Sequence, residues 1–493
     1  MRPQQVVVIG YGMAGARFAE EVRRRDPAGE RVSLTIVGEE THAAYNRVLL
    51  SSVLAGAMAT DAVTLHDGAW ADRYGVTVRT GTRVSRIDRV VRTVTLADGD
   101  VLPYDAVVLA TGSRAWLPPT EGLCDENGEP APGVVAFRTL DDCERILATA
   151  RPGAPVAVLG GGLLGLEAAR GLAGRGNRVT VVHPVGHLME RQLDPAAGRV
   201  LARTLAQLGI EFRLNVLASG YVPGDGLKLA DGSHVPADLV VVSAGVRAET
   251  GLAGDAGLTI DRGVVVDDAL RTSDPRIHAI GDCAQHPGTI SGLVQPGWEQ
   301  AAVVADLLTG ADSAARYTGT PVVTRLKARD IDLAALGEVH AELDDPDAEV
   351  VRLEDPARGR YAKLVLRDDK VTGAIMLGTP DAAAMVTQLY DRGMPAPSDR
   401  LALLLGRALP SGATGASPAD LPSSAVICRC NTVSKGQLMT AWRAGARSVS
   451  ALADATRAST GCGSCREAVC GIAQWLAEVD PDQDAATAGR TAS

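Results

Sequence analysis

Four cysteines near the C-terminus fall into two close pairs, Cys428 with Cys430 and Cys462 with Cys465, and thirty-one residues separate the pairs. Four thiolates arranged this way are the ligand set of a 2Fe–2S cluster, one pair on each iron, or of a structural zinc. Spacing alone leaves both open. The second pair lies in Thr460-Gly461-Cys462-Gly463-Ser464-Cys465, ahead of a helical run at 467–478. Glycines let backbone N–H groups approach sulfur, and a helix start faces negative charge favourably. Arg429, Lys435 and Arg466 could offset that charge. Cys470, inside the helical run and without a close partner, reads as a buried thiol.

Two glycine constellations stand far upstream. Gly10, Gly12 and Gly15 form G-x-G-x-x-G directly after an apolar run, and Gly160, Gly162 and Gly165 repeat it. In such a turn the first glycine permits the tight bend, the second lets the backbone reach a pyrophosphate, and the third lets helix and strand pack closely. The helix N-terminus then faces the phosphates. Met13 and Ala14, with Leu163 and Leu164, occupy the two helix starts and are candidate cofactor contacts. Glu39 closes the next strand pattern, 24 residues beyond Gly15, placed to accept ribose hydroxyls. Its counterpart in the second fold is His183, 18 residues beyond Gly165. An acid there favours NADH and an arginine favours NADPH. His183 is neither, and the nearest downstream arginine, Arg191, is eight residues on. NADH is the expected donor, with NADPH as the alternative. Glu167 either orients a nicotinamide or is a solvated helix-end charge.

The segment TSDPRIHAIGDCA, 272–284, bears on which dinucleotide the first fold takes. A strand ends at Gly281-Asp282, where a carboxylate could bind the ribityl chain of FAD. In isolation it would be an ordinary strand-to-loop aspartate. It follows the second nucleotide fold, however, where a returning FAD domain should resume. A helix pattern beginning near Gly297 would aim its positive end at the flavin pyrimidine and favour the anionic reduced flavin. Val84, Thr111, Gly112 and Gly245 complete the candidate cofactor contacts.

These residues need elements to hold them. Strand and helix patterns alternate through the first 310 residues, as in a doubly wound α/β fold. VVVIGYGMAG at 6–15 recurs as VAVLGGGLLG at 156–165, and YDAVVLATGS at 104–113 recurs as ADLVVVSAGV at 237–246. Two dinucleotide folds are expected, one inserted in the other: 1–118 with 246–315 for FAD, and 119–245 for NAD(P)H. A small α+β domain follows at 320–405, with a hairpin about Asp368-Asp369. Residues 406–425 read as a linker rich in Pro, Ser, Gly and Ala. A small helical cysteine domain spans 426–478, and 479–493 reads as a disordered tail.

Composition narrows the function classes. The formal net charge is −10, which disfavours general attraction to nucleic acid. No apolar run approaches the ~20 residues of a membrane helix. The chain passes from Met1 straight into an apolar strand, without a signal-peptide pattern. A cytoplasmic location is the expectation. Eight cysteines in 493 residues make no disulfide scaffold, and clustered cysteines in a reducing compartment read as metal ligands.

On both fingerprints, both strand-glycine repeats and Gly281-Asp282, residues 1–310 resemble the flavin-dependent pyridine-nucleotide oxidoreductases with two dinucleotide folds. YNRVLLSSVLAG at 45–56 and HLMERQLD at 187–194 look like a narrower group. That group comprises the electron-transfer subunit of assimilatory nitrate reductase and the N-terminal half of the NADH-dependent nitrite reductase large subunit. VICRCNTVSK through TGCGSC resembles the bacterioferritin-associated-ferredoxin-like 2Fe–2S domain. The resemblance implies that Arg47 and its neighbours line the flavin and that the cysteines hold a cluster rather than zinc; Arg47 and Glu167 are the candidate catalytic residues. Stand-alone ferredoxin and rubredoxin reductases often carry a lysine where this chain has Ser52. Residues 40–60 contain no cysteine, so the dithiol of the disulfide reductases is missing. Sirohaem chemistry would need four further clustered cysteines, and Cys124, Cys143, Cys283 and Cys470 are scattered. The implied role is delivery of electrons from NAD(P)H to a protein acceptor, the catalytic subunit of assimilatory nitrate reductase first and of nitrite reductase as the alternative. A reductase for ferredoxin, a redox sensor that does not turn over, and an oxygen-using NADH oxidase are the alternatives.

Overall fold

The apolar runs around 6–9, 34–37 and 106–109 carry Val, Ile and Leu on both faces, the pattern of strands covered by helices on each side. In the computed structural model these runs build a parallel sheet in the order Ile277–Ala279, Ala106–Leu109, Gln4–Ile9, Val32–Val37, Val76–Arg79. A second parallel sheet repeats the plan: Val134–Ala136, Leu239–Val242, Pro155–Leu159, Arg178–His183, Ile210–Leu214. In each sheet the fingerprint strand is central and the chain switches sides beside it. The crevice at that switch point, outside the carboxyl ends of the strands, is where such sheets bind ligands. The structure describes residues 2–407, 418–428, 431, 433–459 and 465–480. They group into two compact units, 1–408 and 409–493.

Ile277–Ala279 closes the first sheet although it lies downstream of the entire second sheet, so one nucleotide fold is inserted in the other. The two strand-glycine repeats meet in an antiparallel ribbon, Ser113–Ala115 with Val246–Ala248, where the chain leaves the first fold and returns to it. Each fold also carries a three-stranded antiparallel sheet, made by 84–103 in the first and 218–236 in the second.

The last sheet of the first unit is antiparallel: Val323–Arg325, Leu333–Gly337, Lys370–Leu377, Arg360–Arg367, Glu349–Asp355. Asp368 and Asp369, at φ 48° and 61°, make its central turn, as a two-residue hairpin with right-handed twist requires. Alternation of side chains divides its two faces. Ala334, Leu336, Leu364 and Met376 pack with Ala382, Val386 and Leu389 of the helix Pro380–Arg392. Leu333, Ala335, Tyr361 and Ile375 join Val200, Leu201 and Leu205 of the helix Pro195–Gln207. A buried ionic group crosses that second contact. Lys363 Nζ donates to Asp194 Oδ2 and to the Val339 carbonyl, each at 3.0 Å, and the Tyr361 hydroxyl donates to the same carboxylate oxygen. Asp194 also caps the helix Pro195–Gln207 through the Ala197 amide at 2.9 Å. Burial alone would raise the Asp194 pKa, but the Ala197 amide, Tyr361 and Lys363 together hold it below the usual carboxylate range.

The second unit opens with the pair Val426–Cys428 and Val433–Ser434, followed by helices Lys435–Arg443, Val449–Thr456 and Arg466–Val479. Ser434 and Gln437 form a capping box at the first of these helices. Residues 408–417, half of the expected linker, and 481–493, nearly all of the expected tail, lie outside the described residues. The described end of that linker is fastened to the unit: the Gly436 amide donates to the Ser423 carbonyl at 2.8 Å, and Lys435 Nζ to the Leu421 carbonyl at 2.7 Å. Lys435 is 4% exposed, with its ammonium 4.6 Å from the centre of the Trp475 ring. Cys470 is exposed, against expectation. Val469, Ile472, Ala473 and Leu476 form the core stripe of its helix, and Cys470 stands about 100° off that stripe, one residue past Val469.

Candidate functional site

The two fingerprints superimpose in their constraints. Gly10 and Gly160 sit at φ 112° and 123°, and a Cβ on either would lie 2.1 Å from the facing carbonyl, of Ala110 or Ser243. Only glycine meets both demands. At Gly12 and Gly162 nothing lies within 4 Å of a built Cβ, so the backbone there is open. Those are the positions that must admit a pyrophosphate. Met13 and Leu163 begin the helices Met13–Arg25 and Leu163–Gly174. Neither helix has a side-chain cap or an acidic residue in its first turn, which leaves the amide end open for an anion.

On the first fold, Gly281 and Gly297 approach so closely that a Cβ on Gly297 would sit 3.2 Å from Gly281 Cα. The helix around Gly297, Val294–Thr309, starts three residues earlier than Gly297 and packs beside the fingerprint, with Trp298 Nε1 donating to the Met13 carbonyl at 3.3 Å. Asp282 Oδ2 accepts from Ser113 Oγ at 2.9 Å and from Arg138 Nη2 at 2.7 Å. Arg138 Nε is buried without a hydrogen-bond partner among the described residues. Such an atom asks for an acceptor, and a polar FAD atom beside Asp282 would supply one. Arg47 pairs with Glu40, while the Tyr45 hydroxyl donates to Glu40 Oε2 at 2.6 Å. Burial pushes the Tyr45 phenol well above its ordinary range, so it stays a donor. Glu39 is exposed two residues beyond the strand Val32–Val37, not at its end. Arg114 Nη2 lies 4.0 Å from it. The Thr111 hydroxyl is taken by the Glu249 carbonyl at 2.9 Å, and the Gly112 carbonyl accepts from the Glu249 amide. Gly245, at φ 116°, gives its carbonyl to the Trp116 amide. The Val84 side chain is buried in the apolar core, so any contact it makes with a cofactor falls to its backbone.

Glu167 is not a solvated charge. It is 4% exposed, and its Oε1 accepts from the backbone amide of Lys327 at 3.0 Å. The Lys327 ammonium lies 3.8 Å from Oε2 and donates to the Val48 carbonyl at 2.6 Å. Three segments meet here: the helix Leu163–Gly174, the short 3-10 helix Arg47–Leu49, and the start of the antiparallel domain. His183 is likewise buried at 4%. Its Nδ1 accepts from the Gly161 amide at 3.0 Å and its Nε2 faces Glu190 Oε2 at 3.1 Å. Arg138, Lys327 and Glu190 were missed from the sequence. Only Glu190 carried a signal, as part of HLMERQLD.

In the second unit Cys428 is 0% and Cys465 6% exposed, and both belong to one apolar cluster with Val433, Leu438 and Trp442. Cys465 stands at the N-cap of the helix Arg466–Val479. Two buried cysteines in one apolar cluster, one of them at a helix start, have the donor chemistry of a thiolate-bound iron–sulfur group. Cys430 and Cys462 lie outside the described residues, as does Arg429. Arg466 is exposed.

Three family models match separate stretches of the chain. Residues 4–303 match the pyridine nucleotide-disulphide oxidoreductase family model, 322–393 the rubredoxin NAD+ reductase C-terminal domain, and 426–474 the BFD-like 2Fe-2S binding domain. The chain is 35% identical to the assimilatory nitrate reductase electron transfer subunit of Bacillus subtilis (strain 168), over 99% of this chain and 62% of that protein. It is 35% identical to a nitrite reductase [NAD(P)H] of the same organism, over 98% of this chain and 59% of that protein. The chain thus spans about three-fifths of the length of these relatives. Among solved structures, a ferredoxin reductase from Rhodopseudomonas palustris matches with a TM-score of 0.68 and 28% identity, over 76% of this chain and 91% of that one.

Proposed function

The chain belongs to the pyridine nucleotide-disulphide oxidoreductase family, and from that premise we propose that it carries electrons from NAD(P)H to a protein acceptor, the catalytic component of assimilatory nitrate reduction. The observation that carries this reading is the union in one chain of two open dinucleotide fingerprints with a 2Fe–2S domain match. Bound FAD would accept one hydride, two electrons together, and a bound 2Fe–2S cluster would pass electrons on singly.

The chain's own residues bind and orient. The fingerprint amides hold the pyrophosphates. Asp282, fixed by Ser113 and Arg138, anchors the ribityl chain of FAD. Arg47, held by Glu40, presents cationic charge at the flavin side. Glu167, fixed by Lys327, sets the nicotinamide against it. Cys428, Cys430, Cys462 and Cys465 hold the cluster. The proposed compartment is the cytoplasm, where thiols stay reduced. Among the described residues no helix is long and apolar enough to cross a membrane.

A second reading keeps the electron path and changes the acceptor to nitrite reductase. It is favoured by the equal 35% identity to the Bacillus nitrite reductase. Turnover tests the shared claim. Protein carrying FAD should oxidise NADH steadily with an artificial dye and slowly with oxygen alone. Oxidation that needs only oxygen would point to an oxidase, and no turnover with any acceptor to a sensor. Adding each catalytic component separately then distinguishes the two acceptors.

A further inference from the structure

Gly161, the second residue of the second fingerprint, is held on both sides. Its N–H donates to His183 Nδ1 at 3.0 Å, and its carbonyl accepts from the Met189 amide at 3.0 Å. Met189 sits at φ 53°, and its own carbonyl accepts from the Gln192 and Leu193 amides at 2.8 Å. Main-chain bonds therefore fasten the turn that carries Glu190 onto the fingerprint. The fit is tight: a Cβ on Gly161 would lie 2.8 Å from both His183 Cγ and Leu188 Cδ2.

A backbone N–H can only donate, so His183 Nδ1 accepts and the neutral ring carries its hydrogen on Nε2. That hydrogen faces Glu190 Oε2, 3.1 Å away. The imidazole side chain is 5% exposed, whereas the Glu190 side chain is 35% exposed. Dinucleotide folds usually place a ribose-binding acid at the end of the second strand. Here His183 fills that position, spends one nitrogen on the fingerprint amide and the other on a carboxylate seven residues on. The hydrogen bond from His183 also holds Glu190 below the usual carboxylate range.

We propose that Glu190, oriented by His183, selects NADH over NADPH by accepting hydrogen bonds from the adenosine ribose hydroxyls. A ribose diol donates to a carboxylate, whereas a 2′-phosphate meets it charge against charge. His183 is a positioning residue in this arrangement. Arg191, next in the chain and exposed, is the competing group that would welcome a 2′-phosphate. The inference rests on the proposed use of a nicotinamide dinucleotide.

Calorimetric binding of NAD+ and of NADP+ to the full FAD-carrying chain, beside flavin reduction by NADH and by NADPH, is the test. NAD+ should bind at least about tenfold more tightly than NADP+, the weight of one charged hydrogen bond with its ribose partner. E190Q should weaken NAD+ by about tenfold, leave NADP+ unchanged or tighter, and bring the ratio towards one. Equal binding by the unaltered chain, a preference for NADP+, or an unchanged ratio in E190Q would each overturn the assignment while leaving NAD(P)H oxidation intact. Failure of both dinucleotides to bind and to reduce the flavin would overturn the function itself and this assignment with it.

Discussion

Cys465→Ser should abolish reduction of a protein acceptor while leaving NADH-to-dye turnover near its original rate. Cys465 is 6% exposed in the apolar core of the second unit, at the start of the helix Arg466–Val479. Serine is a poor ligand for iron and would put a hydroxyl into that core. Loss of even an outer-shell partner of a metal site costs up to about a hundredfold, so loss of a ligand should remove at least that much acceptor reduction. The fingerprints, Asp282 and Glu167 all belong to the other compact unit, so dye reduction is expected to outlast the loss of Cys465. Parallel assays with a dye and with the protein acceptor would separate the two activities. Loss of both would make the cysteine domain structural, and retention of both would remove it from the electron path.

Lys363→Met should cost about 3–5 kcal/mol of stability, the usual penalty for stranding one partner of a buried ion pair. The Lys363 and Asp194 side chains are 4% and 9% exposed, and the carboxylate also caps a helix. Methionine would fill the space and leave Asp194 with Tyr361 and one amide. The sign with pH follows from the depressed Asp194 pKa. Its stabilisation is fully present above the unfolded value of about 3.9 and is lost as pH falls through the lower folded value. The penalty of Lys363→Met should therefore shrink in acid. Denaturant unfolding of the single variant and of Lys363→Met with Asp194→Asn measures the coupling. Asn can still cap the helix, so the double variant should recover most of the loss. A single-variant cost below about 1 kcal/mol would mean that the pair contributes little to the contact between these domains.

The parts of the site that sequence exposed are those that local geometry dictates. A glycine that must turn at φ 112° or 123°, or lie 2 Å from a carbonyl if given a Cβ, leaves its mark at a fixed spacing in the chain. The duplicated fingerprints and strand-glycine repeats were legible for that reason, as was the two-aspartate hairpin. The residues that complete the site come from long range. Lys327 reaches Glu167 across 160 positions, and nothing near either residue announces the other. Ser52 marked a departure from stand-alone reductases, yet only the structure places an ammonium beside Glu167. Arg138 meets Asp282 across 144 positions. His183 was legible by its place at the end of the second strand, but not the turn of its ring to the Gly161 amide or the carboxylate of Glu190 beyond it. Cys470 shows how one residue of helical phase separates core from surface.

The central claim is that one chain conducts from NADH through flavin to a 2Fe–2S cluster. An anaerobic titration of the purified protein with NADH, followed by absorbance and EPR, tests it most directly. The flavin band should bleach first, and a spin-one-half signal from the reduced cluster should follow. Flavin bleaching with no such signal, together with zinc found by metal analysis, would contradict it and leave a flavin reductase with a structural cysteine domain.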